Sequence, residues 1–205
     1  MEAAVISPPA ARGRPREFCP DAALAAALGV FWSKGYEGAS MVDLTEAMGI
    51  TKPSLYAAFG NKEQLFGLAL DLYEREKMAY TRDALEQPTA RAVAAYFMHG
   101  AVEAQTSCSG PKGCLGVISA SACGSEAHGI RDEVMKRRAS SSAALVARFR
   151  RAQQDGDLPD GVEPEALAHY LYTILQGLAV QAGAGATRAE LDRVVETGLA
   201  MWPGK

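Results

Sequence analysis

The stretch "TKPSLYAAFGNKEQLF", Thr51 to Phe66, decides how this chain is read. Thr51 is a helix cap, and Pro53 sits in the first turn behind it, where its missing N–H is no loss. Gly60 and Asn61 stop that helix after about two turns and start another.

Just before it, Ser40 and Asp43 form an S-x-x-D capping signal for another very short helix, which ends at Gly49. Leu44, Met48, Ile50, Leu55 and Ala58 are spaced to join the pair as a helix-turn-helix, and Gly49 permits the left-handed turn between them. In that geometry the second helix, Lys52 to Phe59, would enter a DNA major groove. It would present Lys52, Pro53, Ser54, Tyr56 and Ala57 outward, with Leu55 and Phe59 turned to the core. The same spacing also fits two ordinary packed helices of an α bundle or of a helical adaptor that binds protein, and spacing alone leaves these readings open.

Outward from this centre the chain reads as helical throughout, with apolar residues at three- and four-residue spacing and no alternating β-branched runs. Leu24, Ala27, Leu28 and Phe31 make the stripe of a first helix that follows Pro20 and stops at Gly35. A long helix is expected from Lys62 to Leu85 and another from Pro88 to Thr106. "SCSGPKGCLGVISASACGS" then reads as a loop plus a short helix. Helices over residues 126–154, 163–184 and 188–202 complete an all-α chain of about nine helices.

Composition bounds the function. The 205 residues are 48% apolar, enough for a real core, and the net charge of −3 excludes a protein that coats nucleic acid by bulk charge. Residues 1–62 hold six Lys or Arg and six Asp or Glu, so binding to DNA must come from placement. No export signal is read at the N-terminus, and the cytoplasm is the expected compartment. Residues 166–187 contain no Asp, Glu, Lys or Arg, but His169, Gln176, Gln181 and several glycines favour a buried helix over a membrane span. Cys19, Cys108, Cys114 and Cys123 lack the spacing of a zinc site or a disulfide framework. His99, His128 and His169 are far apart, and no nucleophile motif, P-loop or dinucleotide fingerprint occurs, so no catalytic residues, metal or cofactor are expected.

The segment "GYEGASMVDLTEAMGITKPSLYAAFGNKEQLF" resembles the N-terminal domain of TetR/AcrR-like transcriptional regulators. Their pattern runs G-[YF]-x-x-[TS], then apolar-x-x-A-x-x-x-G-[VI]-[ST], then L-Y-x-x-F-x-x-K-x-x-L, and nearly every element stands here in order. The resemblance implies a flexible arm over residues 1–16, a helix-turn-helix DNA-binding domain over 17–62 and a C-terminal ligand-binding and dimerisation domain over 63–205. It implies a homodimer on double-stranded DNA with a palindromic operator, released by an unknown small-molecule effector, usually as a repressor. Tyr56 and Lys62 would hold phosphates, as would the helix starts at Ser40 and Thr51, while Lys52, Pro53 and Ser54 would face base edges. Arg14 and Arg16, with Arg12, lie on an arm that either reaches the minor groove or stays solvated. Thr45, Ala57, Ala58 and Cys19 depart from the family pattern: Thr45 stands where a small alanine is usual, the alanines leave few direct base contacts, and Cys19 is a poor helix cap.

For the rest of the chain, the two last helices carry Gly177, Ala179, Gly183 and Gly198, which allow close helix approach, and are expected to dimerise. Tyr96, His99, Cys114 and Tyr170 are candidate effector contacts, although aromatic residues of this kind are more often ordinary core residues than ligand contacts. Cys114, between glycines and near Lys112, is also a candidate redox or electrophile sensor, with Cys108 or Cys123 as resolving partner and Cys19 as a second thiol.

Overall fold

The computed structural model describes residues 18–107, 110–121 and 127–204. Arg12, Arg14 and Arg16 of the expected arm, and Cys108 and Cys123, lie outside the described residues. Among those described, ten α-helices and no strands occur: α1 Pro20–Gly38, α2 Met41–Met48, α3 Lys52–Phe59, α4 Lys62–Lys77, α5 Ala79–Leu85, α6 Ala90–Thr106, α7 Leu115–Ser121, α8 His128–Gln154, α9 Pro164–Gly183 and α10 Arg188–Ala200.

The additional helix arises where the sequence predicts one long helix from Lys62 to Leu85. Met78 leaves helical geometry at φ −113° and ψ 14°, and the Thr81 hydroxyl donates to its carbonyl at 2.7 Å. The break has a packing reason. It lets the Tyr80 ring meet Phe97 edge-on at 5.9 Å and lie in the space left by Gly100, where a Cβ would come within 2.6 Å of that ring. Gly35 likewise interrupts α1 (φ 70°, ψ 176°) without ending it, because one more helical turn follows as far as Gly38. That kink brings Tyr36 alongside Phe31 and Phe66, at 6.3 and 5.2 Å.

Two cores form. One joins α6, α8, α9 and α10 around Phe97, Met98, Leu145, Phe149, Leu171, Leu178 and Leu191. The other joins α1 to α4 around Phe31, Trp32, Leu44, Leu55, Leu65 and Phe66. This second core also takes in Leu115 from α7 and Ala127, Ile130 and Val134 at the start of α8. Packing thus crosses residue 62, where the resemblance implies a domain boundary, and residues from both sides of it share this core. The uncharged stretch 166–187 buries one face of α9, and among the described residues no helix is long and apolar enough to cross a membrane.

Candidate nucleic-acid interface

The short helix pair is built by its caps. Ser40 Oγ accepts from Asp43 N at 3.1 Å while Asp43 Oδ2 accepts from Ser40 N at 2.9 Å, a reciprocal capping box that starts α2. The Lys34 ammonium at 2.7 Å and the Ser40 groups hold the Asp43 carboxyl well below the usual carboxylate range. Gly49 in the left-handed region (φ 65°, ψ 28°) turns the chain into α3. There Thr51 Oγ1 accepts from Ser54 N at 3.3 Å and lies 2.9 Å from Ser54 Oγ. Leu55 and Phe59 are buried as expected and clamp α3 from behind.

What remains outward on α3 is Lys52, Pro53, Tyr56, Ala57 and Ala58. Ser54 is half-buried and its hydroxyl is engaged with the Thr51 cap, so of the three expected base readers Lys52 and Pro53 are the fully presented ones. The Lys52 ammonium lies 5.8 Å from the Tyr56 ring centroid. At the start of α4, Asn61 and Gln64 cap each other's backbone, and the Lys62 ammonium stands 4.5 Å from the centroid of the Tyr36 ring. Burial lowers the Lys62 pKa against the opposing pull of Glu37. Both lysines face an aromatic ring, Lys62 with the Glu37 carboxylate also acting on it, whereas Lys34 forms a direct ion pair with Asp43.

This surface is mechanically tied to the rest of the molecule. Trp32 Nε1 in α1 donates to the Gly113 carbonyl at 3.2 Å, and the Trp32 ring meets Tyr73 of α4 edge-on at 5.0 Å. Gly113 takes φ 86° and runs so close to α9 that a Cβ there would lie 3.0 Å from the Ala179 carbonyl oxygen. The next residue is Cys114, half-buried beside the Tyr73 hydroxyl; burial first, and then this thiol, push that hydroxyl well above the phenol range. On α8, Arg137 Nη1 reaches Asp71 at 2.6 Å and Glu74 at 3.1 Å on α4, and its Nε bonds Glu133 at 2.7 Å. Burial alone would weaken this guanidinium's charge, but the three carboxylates more than offset it and raise its pKa.

The four candidate effector residues are not brought together. Tyr96 and His99 line a groove of about 760 Å³ that also includes Tyr80, Gly100, Glu103 and Arg188. His99 points its two ring nitrogens at Asp192 and Glu196 of α10, at 3.6 and 3.3 Å. Tyr170 instead lines a hollow of about 430 Å³ between α9 and α10, and Cys114 lies half-buried against the core formed with α1 and α4. Sequence reasoning misses Trp32, Tyr36, Tyr80 and Arg137. An aromatic directly after Gly35 is the one local signal that points to Tyr36.

The comparisons fit this geometry. Residues 23–69 match the model for bacterial regulatory proteins of the tetR family, and residues 88–197 match the tetracyclin repressor-like C-terminal domain. This chain belongs to the TetR family. As a TetR-family protein it is a DNA-binding transcriptional regulator and not an enzyme. It is 33% identical to the transcriptional repressor ComR of Escherichia coli K12 over 195 residues, which is 94% of this chain and 92% of ComR. It is similar to a solved structure of the TetR-family regulator CifR, a cysteine mutant complexed with 26 bp double-strand operator DNA. That likeness has 44% identity, a TM-score of 0.87, and covers 93% of this chain and all of that one, 100%. A second solved structure, a TetR regulator from Rhodococcus sp. RHA1, is 39% identical over 89% of this chain and 98% of its own, with a TM-score of 0.63.

Proposed function

We propose that this regulator is a cytoplasmic homodimeric repressor that reads a palindromic operator and is released by a small molecule bound in its C-terminal body. The observation that carries the reading is the outward face of α3, where a capped two-turn helix presents Lys52, Pro53 and Tyr56 beside Lys62. Lys52 and Pro53 face base edges, with Ser54 contributing through the cap it shares with Thr51. Tyr56, Lys62 and the helix starts at Ser40 and Thr51 contact phosphates, joined by Arg14 and Arg16 of the arm. One short helix discriminates too little, so a second copy supplies the other half-site one helical turn or more away. The outer face of α9 and α10, with Tyr170, Val180, Val194 and Met201 exposed, is apolar enough to be covered by that copy. Tyr96 and His99 belong to one candidate effector groove, and the complexes of CifR with operator DNA support the DNA-bound state.

The test is an electrophoretic shift at low salt with fragments from upstream of the protein's own gene. Retention of a specific fragment is expected. Lys62→Ala combined with Tyr56→Phe should weaken it and lower the slope of log K against log salt by about 0.9 for each phosphate that is no longer neutralised. No retained fragment, or an unchanged slope, overturns the reading.

A second reading of the release step rests on where Cys114 sits. Addition of its thiol to the ring of a quinone forms an S–C bond and returns the thiol proton to the reduced ring, adding bulk beside Tyr73 and next to the Gly113 carbonyl that Trp32 grips. Release of DNA by a quinone should then vanish in Cys114→Ser, and unchanged release rules Cys114 out as the sensor.

A further inference from the structure

Tyr36 is an aromatic that the N-terminal core only partly absorbs. Gly35 breaks the helical path of α1 in the positive-φ region, and Tyr36 follows with its ring fixed by Phe31 and Phe66. Phe66 is itself pinned edge-on to Phe31 at 5.0 Å, so the ring has little freedom. Its remaining face receives the Lys62 ammonium at 4.5 Å, within the range in which a ring quadrupole attracts a cation. Lys62 is the first residue of α4, directly after the Asn61 cap, so its backbone is also fixed.

We propose that Tyr36 is a positioning residue for DNA binding: its ring holds the Lys62 ammonium at the edge of the reading helix, aimed and partly dehydrated, ready for a phosphate oxygen. The inference rests on the reading of Lys62 as a phosphate contact. A free lysine side chain must give up rotamer freedom and water when it meets a phosphate, and one already resting on a rigid ring gives up less of each. A carboxylate would order the lysine equally well but would have to be displaced, because it competes with phosphate for the same charge. A π face orders the cation without itself competing for the charge, so of the two groups acting on Lys62 only the Glu37 carboxylate has to yield to a phosphate. This also accounts for how a domain with equal numbers of acids and bases over residues 1–62 can grip a polyanion.

The test is a double-mutant cycle on the full chain, using a duplex selected by the protein from random-sequence DNA. Tyr36→Leu should weaken binding roughly two- to fivefold per half-site, the scale of one cation–π contact. Tyr36→Phe, which keeps the ring face, should bind as the unaltered protein does. In a Lys62→Gln background, Tyr36→Leu should have no further effect. If Lys62→Gln itself leaves affinity and salt slope unchanged, the phosphate reading of Lys62 fails and the inference with it. If Lys62→Gln weakens binding but Tyr36→Leu weakens it as much again in that background, Tyr36 is only structural and the inference alone is overturned. Should Tyr36→Leu not fold, proton NMR of the free protein decides. The Lys62 side-chain methylene protons should be shifted upfield by the ring in the unaltered protein and in Tyr36→Phe, and unshifted resonances overturn the proposal.

Discussion

Two exposed surfaces of this molecule stand in contrast, the outward face of α3 with the start of α4, and the outer face of α9 with α10. The first is small, capped at both helix starts, and carries two lysines each seated on a tyrosine ring. The second is mainly apolar, with Tyr170, Ile174, Val194, Gly198 and Met201 around a shallow hollow that Glu190, Arg193 and Thr197 also line. Exposure alone does not separate them: Tyr56 is 45% exposed and Val194 49%. The chemistry does. A surface of ordered cations and hydroxyls suits a polyanion, and one of mainly apolar side chains edged by Glu190, Arg193 and Thr197 suits packing against a copy of itself.

The most direct challenge to the contrast is to make the second surface resemble the first. Val194→Glu places a further charge in the centre of this mainly apolar face, and sedimentation should show the proposed homodimer dissociating. Operator affinity should fall by about 10² or more, because the second half-site is then no longer delivered at high effective concentration. A dimer that persists with unchanged affinity would move the interface elsewhere.

The next largest effect is on the reading head from behind. Leu55 is fully buried (0% exposed), so Leu55→Ala should destabilise the protein by about 2–5 kcal/mol in denaturant unfolding. DNA affinity should drop with it, because Leu55 and Phe59 are what fix the direction of α3.

A smaller effect concerns the body. Arg148 is buried, and its guanidinium donates to the Leu85 carbonyl at 3.2 Å and the Gln87 carbonyl at 2.7 Å, closing the end of α5. Burial lowers its pKa, and these carbonyls keep its donors satisfied. Arg148→Ala leaves both without that partner and should cost about 2 kcal/mol, read as a fall in melting temperature of about 4–8 °C.

The smallest effect is a pH dependence of the head. Asp43 has its pKa depressed by Lys34 and Ser40. Its contribution is therefore fully present above the ordinary carboxylate value of about 3.9 and disappears as pH falls toward the lower folded value. Asp43→Asn should slightly lower the melting temperature at pH 7, and the difference from the unaltered protein should shrink as pH falls below about 4. A difference that grows on acidification would contradict the capping role.

Much of the head is legible in the sequence because its signals are local. Ser40, Thr51 and Asn61 are caps whose partners lie three residues away, and Gly49 is a turn that only its own backbone requires. The body is less legible. Continuous helical periodicity runs through Met78, and nothing local marks the break, because its cause is Tyr80 packing onto Gly100 some twenty residues later. Nor does any local pattern show that Ile130 and Val134, far along the chain, help to close the N-terminal core. The place of Ser54 on α3 suggests a base contact, and its hydrogen bond to Thr51 shows that side chain to be part of the cap.

The all-helical class, the two short helices with their caps, and the face of α3 that turns inward all follow from the amino-acid order alone. Each of these depends on residues within one or two turns of each other, where spacing dictates contact. It took the packed molecule to establish that Lys62 rests on Tyr36, that Trp32 holds the loop before Cys114, that Arg137 ties α8 to α4, and that the four candidate effector residues lie in three separate places. These are meetings of side chains from distant segments, and their geometry is set by how whole helices pack, which no local pattern encodes.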